Sequence, residues 1–418
     1  MIKINKKLKA IFKIFIIISI LLGTNYKICF ADDVDEELDE PISINEIEDA
    51  SKELSNEPVT NSRRMIIYDR NSKRIMYGKN ENVKAAMAST TKIMTATIVI
   101  ENADLNKEVI VGKKAALTGG SRLGLKENDK ITIRDLLYGL MMKSGNDAAV
   151  QLAIEVGGSV EGFADIMNKK AEDLGLTKTH FVTPHGLDDP EHYTTAYELA
   201  KLTDYALKNK TFKEIVGTKQ YTITINGYPK ELNNTNELLG VLNGVIGVKT
   251  GFTNNAGRCL VTETKRGDRD LITVVLGADT KKIRTKDSVK LIEYGFSSFK
   301  DLNIEENAKE EFENWNEINS GRMEIEKGKN KKIDLYLGEI LNKEIPIKES
   351  DIDKVEYNIN SVLKLEAPVE KNLKIGTMEI KLNDETIENV DIYTKKKIER
   401  KDWRDYFKEN IALTQNLL

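Results

Sequence analysis

The chain has 418 residues, 31% of them charged and 40% hydrophobic, with a net charge of −4. That length holds two or three domains with a sizeable core, and the slight acidic excess argues against nucleic acid as the main partner. Two cysteines, Cys29 and Cys259, exclude a disulfide framework and any C-x-x-C metal or redox motif.

The first segment reads as a secretory signal. Lys3, Lys6, Lys7, Lys9 and Lys13 precede the apolar run 14–22, and a small-residue site follows at "ICFADD", with cleavage expected after Ala31. An uncleaved anchor would need roughly 20 apolar residues, and this run is shorter. A lipoprotein signal would use Cys29, but "YKIC" lacks the small residues expected before it. Cleavage removes Cys29, leaves Cys259 as a lone thiol and places the protein outside the cytoplasm. Residues 32–57 carry twelve acids and one lysine, the composition of a self-repelling disordered linker.

Two short β-prone runs around "DRNSKR" predict a hairpin just after Arg63. From 97 to 215 apolar residues recur at three- and four-residue spacing, as in "TIRDLLYGLMMKSGNDAAVQLAIEV", which predicts helices. Strand patterns return with "RCLVTETK" and "DLITVVLGA" around the turn "RGDRD", and "IRTKDSVKLIEYGF" then predicts a helix with Val289, Ile292 and Phe296 on one face. Strands at both ends with helices between imply an α/β unit whose sheet is assembled from distant parts of the chain. From 301 onward "KIDLYLGEI", "KVEYNI" and "LKIGTMEIKL" alternate apolar and polar residues, predicting a small all-β domain. The C-terminus is basic at Lys395, Lys396 and Lys397 and then amphipathic: Trp403, Phe407, Ile411 and Leu418 share a helical stripe, with Tyr406 and Leu417 beside it. Such a helix suits an anionic membrane surface; the alternative is packing on its own domain.

Three short motifs carry chemistry. Ser89 and Lys92 form S-x-x-K at the start of an apolar stretch, and residues i and i+3 of a helix share a face, so the amine can act as base for the hydroxyl. Ser144-Gly145-Asn146 lies between two helix-like stretches, where the serine can relay a proton to a leaving amine and the asparagine can hold a substrate amide. Lys249-Thr250-Gly251 lies on a strand-like segment, where a cation and a hydroxyl can receive a carboxylate while glycine admits the backbone. Each triplet alone is commonplace. In this order they resemble the S-x-x-K, S-D-N and K-T-G signature of penicillin-binding proteins and class A β-lactamases, with Gly145 as a different middle residue.

Within that group the chain resembles the serine-type D-alanyl-D-alanine carboxypeptidases, the low-molecular-mass penicillin-binding proteins of peptidase family S11. The resemblance rests on "MASTTKIMTA", "LLYGLMMKSGNDAA", "HFVTPHGLDDPEHYTTAYELA", "GVKTGFT", "VVLGA", "LIEYGFSSF" and "APVEKNLKIGTMEI". It implies a β-lactamase/transpeptidase-like α/β (α+β) catalytic domain, with an antiparallel sheet and a helical subdomain, over 58–300. A small β-sandwich domain over 301–394 and a basic amphipathic helix over 395–418 would follow. It implies that Ser89 attacks the carbonyl between two D-alanines of a peptidoglycan stem pentapeptide, Lys92 is the base, and Ser144 protonates the departing D-alanine. Asn146 would orient the acyl side chain, Lys249 and Thr250 would hold the terminal carboxylate, and the backbone N–H groups of Ser89 and Phe252 would bind the oxyanion. No metal or organic cofactor is implied, and β-lactams would acylate Ser89. Position 252 is often histidine in relatives and is phenylalanine here.

Other readings fit less well. A class A β-lactamase needs E-x-x-L-N, which does not occur between Ser144 and Lys249. A Ser-His-Asp triad through His185 and Asp188 lacks a nucleophile elbow. His180, His185 and His192 have no common zinc-ligand spacing, and "FVTPHGL" reads as a structural loop shaped by Pro184 and Gly186. An endopeptidase cutting cross-links, or a penicillin-binding sensor without turnover, would carry the same motifs.

Overall fold

The computed structural model describes residues 40, 42–52 and 57–415. The expected signal segment 1–31, with Cys29, and Leu417 and Leu418 of the terminal stripe lie outside the described residues.

The acidic linker expected over 32–57 contains a helix, α1 (Ile44–Lys52). Ser43 and Glu46 form a reciprocal capping box: the Glu46 N–H donates to Ser43 Oγ (3.3 Å) and the Ser43 N–H to Glu46 Oε2 (3.1 Å). Ile47 and Ala50, three residues apart, are buried against Leu238, Leu242, Val245, Leu260, Val289 and Ile292. The acids ride on the outer face, where Glu46 pairs with Lys286 at 3.2 Å.

The expected hairpin is β1 (Arg64–Asp69) and β2 (Ile75–Lys79). A helical block follows: α2 (Lys92–Asn102), α3 (Ile133–Met142), α4 (Asn146–Gly157), α5 (Val160–Asp173), α6 (Ala196–Ala206) and α7 (Lys210–Gly217). An antiparallel hairpin, β3 (Gln220–Ile225) and β4 (Tyr228–Asn233), leads to the long strands β5 (Val245–Thr253), β6 (Gly257–Arg266) and β7 (Arg269–Ala278). These join the first hairpin in one antiparallel sheet of order β2-β1-β7-β6-β5, with Arg64 opposite Leu276 and Gly251 opposite Cys259. β7 reads as a nearly continuous apolar run because it is buried on both faces, whereas β6 buries Thr262, Glu263 and Thr264 beside its apolar residues. One face meets the helical block; the other is covered by α8 (Lys281–Ser297), which carries the expected Val289 and Ile292 contact. α2 is packed among the other helices of the block, with Ile93 to Val99 all buried.

The C-terminal domain opens with a helix the alternation pattern does not announce, α9 (Ile304–Asn319), whose Ile304, Ala308 and Phe312 seal one side of the core. Its β part includes an antiparallel sheet of order β8-β11-β10-β9, made of β8 (Leu335–Leu337), β9 (Val355–Ser361), β10 (Lys374–Leu382) and β11 (Glu385–Thr394), beside two two-stranded pairings. The terminal helix, α10 (Trp403–Gln415), begins later than the expected 395. Residues 395–401 instead bond along the domain edge: the Lys395 N–H donates to Asp334 O, Ile398 N–H to Val369 O and Lys401 N–H to Lys327 O. Backbone pairing there satisfies groups that a helix would have had to re-pair.

Candidate active site

Ser89 lies in a 3₁₀ turn, Ala88–Thr91, and Lys92 is the first residue of α2. In a 3₁₀ turn residues i and i+3 eclipse, and Lys92 Nζ is 2.7 Å from Ser89 Oγ. Lys92 is fully buried. Its two other hydrogen-bond acceptors come from distant chain segments: Asn146 Oδ1 at 2.7 Å and the carbonyl of His185 at 3.0 Å. A neutral amine can donate to those two and keep its lone pair for the serine hydroxyl.

Ser144 is buried in the three-residue connection between α3 and α4, with a left-handed φ of 59°. Asn146 opens α4. Its Nδ2 donates to Gly119 O (2.9 Å) and its N–H to Ser121 O (2.8 Å), so both ends of its amide are engaged. Neighbouring Asp147 accepts the N–H groups of Leu123, Gly124 and Leu125 at 2.8–2.9 Å, holding the 119–125 loop beside the site.

The third motif is on β5, at the edge of the sheet. Gly251 faces the nucleophile turn: a β-carbon there would lie 3.0 Å from the Ser89 nitrogen. Lys249, on the same face two residues earlier, is buried and donates to Thr250 O at 2.9 Å. The Thr250 hydroxyl meets that of Thr235 at 2.8 Å. Phe252 stacks under the guanidinium of Arg258, its cross-strand partner, 3.6 Å from the ring centroid.

The "FVTPHGLDD" loop is structural in the way its proline and glycine suggest, but it also builds the site. It runs between α2 and β5: His185 O accepts from Lys92, Pro184 O from Thr95 (2.6 Å), and Asp188 accepts from Thr253 Oγ1 (2.6 Å) and the Asn255 N–H (3.2 Å). Asp188 is therefore committed to the β5–β6 turn. His185, whose Nδ1 accepts the Leu187 N–H at 3.2 Å, is pushed down to about 3 by burial. Among the described residues no three His, Cys, Asp or Glu side chains converge to hold a metal ion. Cys259 is a buried core residue whose thiol burial pushes up to about 11.

Arg284, near the start of α8, escaped notice in the sequence because it reads as an ordinary helix residue. It is fully buried, donates through Nη2 to Glu237 at 2.8 Å, and its Nε and Nη1 have no partner among the described residues. A cation with open donors beneath the β5–β6 strands suits an anionic ligand group.

Sequence comparison agrees with this geometry. The family described as D-alanyl-D-alanine carboxypeptidase matches residues 51–280, more than half of the chain. The chain belongs to this family. A second family, described as penicillin-binding protein 5, C-terminal domain, matches residues 316–400. The chain is 32% identical over 356 residues to the D-alanyl-D-alanine carboxypeptidase DacF of Bacillus subtilis, covering 83% of this chain and 88% of that one. It is 35% identical over 352 residues to DacC of Escherichia coli, covering 81% and 84%. The crystal structure of penicillin-binding protein 5 from Haemophilus influenzae superposes with a TM-score of 0.65 at 27% identity, over 82% of this chain and 99% of that one. These carboxypeptidases share the antiparallel catalytic sheet and the appended β domain that this chain displays.

Proposed function

We propose that this protein is a secreted serine DD-carboxypeptidase that removes the terminal D-alanine from peptidoglycan stem pentapeptides. The observation that carries the reading is the buried Lys92 amine 2.7 Å from Ser89 Oγ, a base already in contact with its nucleophile. Ser89 attacks the penultimate D-alanyl carbonyl as Lys92 takes the hydroxyl proton. The oxyanion forms between the backbone N–H groups of Ser89 and Phe252. The C–N bond breaks, free D-alanine leaves with a proton delivered through Ser144, and water then hydrolyses the acyl-serine ester. Lys249, Thr250 and Gly251 receive the terminal carboxylate, with Arg284 adding a buried positive charge behind them. Asn146, bonded at both ends, acts first by orienting Lys92. A β-lactam presents a strained amide to the same serine and forms the corresponding ester.

The basic and apolar N-terminal segment supports export, and the exposed aromatic side chains of α10 support attachment to the outer membrane surface. The test is release of D-alanine from diacetyl-Lys-D-Ala-D-Ala by residues 32–418. Release that disappears in Ser89→Ala supports the reading. No release, with penicillin still attached to Ser89, turns it toward an endopeptidase or a sensor.

A further inference from the structure

We infer that His192 is a positioning residue for the oxyanion hole, acting through Thr91 on the peptide bond between Ala88 and Ser89. The chain of contacts is short and entirely buried. His192 Nδ1 faces two backbone donors, the N–H groups of Val182 (3.0 Å) and Thr183 (3.4 Å), so it is the accepting nitrogen and the ring proton sits on Nε2. Nε2–H then donates to Thr91 Oγ1 at 2.8 Å, which leaves the threonine proton for the carbonyl of Ala88, also at 2.8 Å. Gly186 closes the other side of that carbonyl: a β-carbon at 186 would lie 1.9 Å from the Ala88 oxygen.

A peptide unit is planar and trans, so fixing its C=O fixes the opposite direction of its N–H. The N–H opposite Ala88 O belongs to Ser89, and a β-carbon on Gly251 would lie 3.0 Å from that nitrogen. Ala88 needs this restraint. Its φ is 47°, a left-handed conformation that a non-glycine residue keeps only when its surroundings impose it. Without the Thr91 bond the Ala88–Ser89 peptide can rotate toward a relaxed geometry, turning the oxyanion donor away. The ring is suited to a constant role: burial pushes His192 down to about 4, with His180 adding to the fall and Asp189 opposing it, so it stays neutral where the enzyme works.

The inference rests on Ser89 as the nucleophile, and its test separates the two. Gln places an amide nitrogen near the position of Nε2, whereas Asn places an oxygen near that of Nδ1. Thr91→Val should lower kcat for diacetyl-Lys-D-Ala-D-Ala about 10- to 100-fold with KM changed less than about twofold, less than loss of a whole oxyanion donor. Affinity for a peptide boronic acid, whose tetrahedral adduct places an oxygen in the hole, should fall by a similar factor. His192→Asn should match Thr91→Val, His192→Gln should recover most of kcat, and the Thr91→Val/His192→Asn double variant should be no slower than the worse single one. Unchanged kcat in Thr91→Val, equal activities of the Asn and Gln variants, or additive losses would overturn the relay. Thr91→Val alone decides the matter if the histidine variants do not fold. Penicillin labelling that survives Ser89→Ala would overturn the nucleophile assignment instead.

Discussion

Gly251 and Ser89 stand so close that a β-carbon on residue 251 would lie 3.0 Å from the backbone nitrogen of residue 89, 3.2 Å from the β-carbon of Ala88 and 3.2 Å from the Thr90 nitrogen. The strand that carries Lys249 and Thr250 is therefore set against the nucleophile turn at a distance that would crowd any side chain on residue 251. Gly251→Ala should push β5 outward by a few tenths of an ångström and lower kcat/KM about 10- to 100-fold, because catalysis is steep in the placement of reacting groups. The thermal midpoint should move little, since the displacement falls at a sheet edge. Steady-state kinetics beside a melting curve checks this; wild-type kcat/KM would show that the gap is not needed.

Two buried imidazoles give a pH signature. Burial lowers His185 from an ordinary 6.5 to about 3 and His192 to about 4, so both are neutral in the folded protein while the unfolded chain binds protons below about 6.5. Between these limits the unfolded state carries more protons, so stability rises with pH there. Their contribution is complete above pH 6.5 and is lost progressively as the pH falls toward 3. The urea midpoint should be lower at pH 4.5 than at 7.5, and His192→Gln should narrow that gap. A variant with the full wild-type gap would remove His192 from the account.

The N-terminal helix α1 buttresses the back of the catalytic sheet. Ile47 lies among Leu238, Leu242, Leu260, Val289 and Ile292, and Leu260 is the cross-strand partner of Thr250. Ile47→Asp places a carboxylate in that apolar setting and should cost about 3 kcal/mol of stability, from lost burial and an unpaired charge. Urea unfolding measures it, and an unchanged midpoint would mean the helix does not dock in solution.

What the sequence made legible, and what it did not, follows from the range of the interactions. The Ser89–Lys92 pair was readable because three residues of one turn bring it together, and the strand of "DLITVVLGA" because burial on both faces leaves a nearly continuous apolar run. Lys92's other partners, Asn146 and His185, are separated from it by 54 and 93 positions, and one contributes a carbonyl, which no residue type advertises. The His192–Thr91 contact spans 101 positions. Helix α1 did have a local sign, Ser43 with Glu46, but the surrounding acids outweighed it because charge counts ignore which face a residue occupies. The start of the terminal helix was misplaced because the lysines at 395–397 read the same on a strand edge as on a helix.

That terminal helix carries the last prediction. Trp403, Phe407 and Ile411 recur at four-residue spacing with Tyr406 beside them, and they are 72%, 61%, 44% and 42% exposed, in that order. Such an exposed aromatic face suits the interface plane, where aromatic side chains bury among headgroups. Residues 32–418 should co-sediment with vesicles containing anionic phospholipid. Trp403→Glu/Phe407→Glu should weaken binding at least about tenfold while hydrolysis of the soluble tripeptide is unchanged, since each aromatic removed from the interface forfeits about 1.5–3 kcal/mol. Raised salt should weaken binding only in part, because Lys396 and Lys397 already pair with Asp334 and Glu370 and the apolar face is insensitive to screening. Equal sedimentation of the double variant would assign the exposed aromatics to a protein partner rather than to lipid.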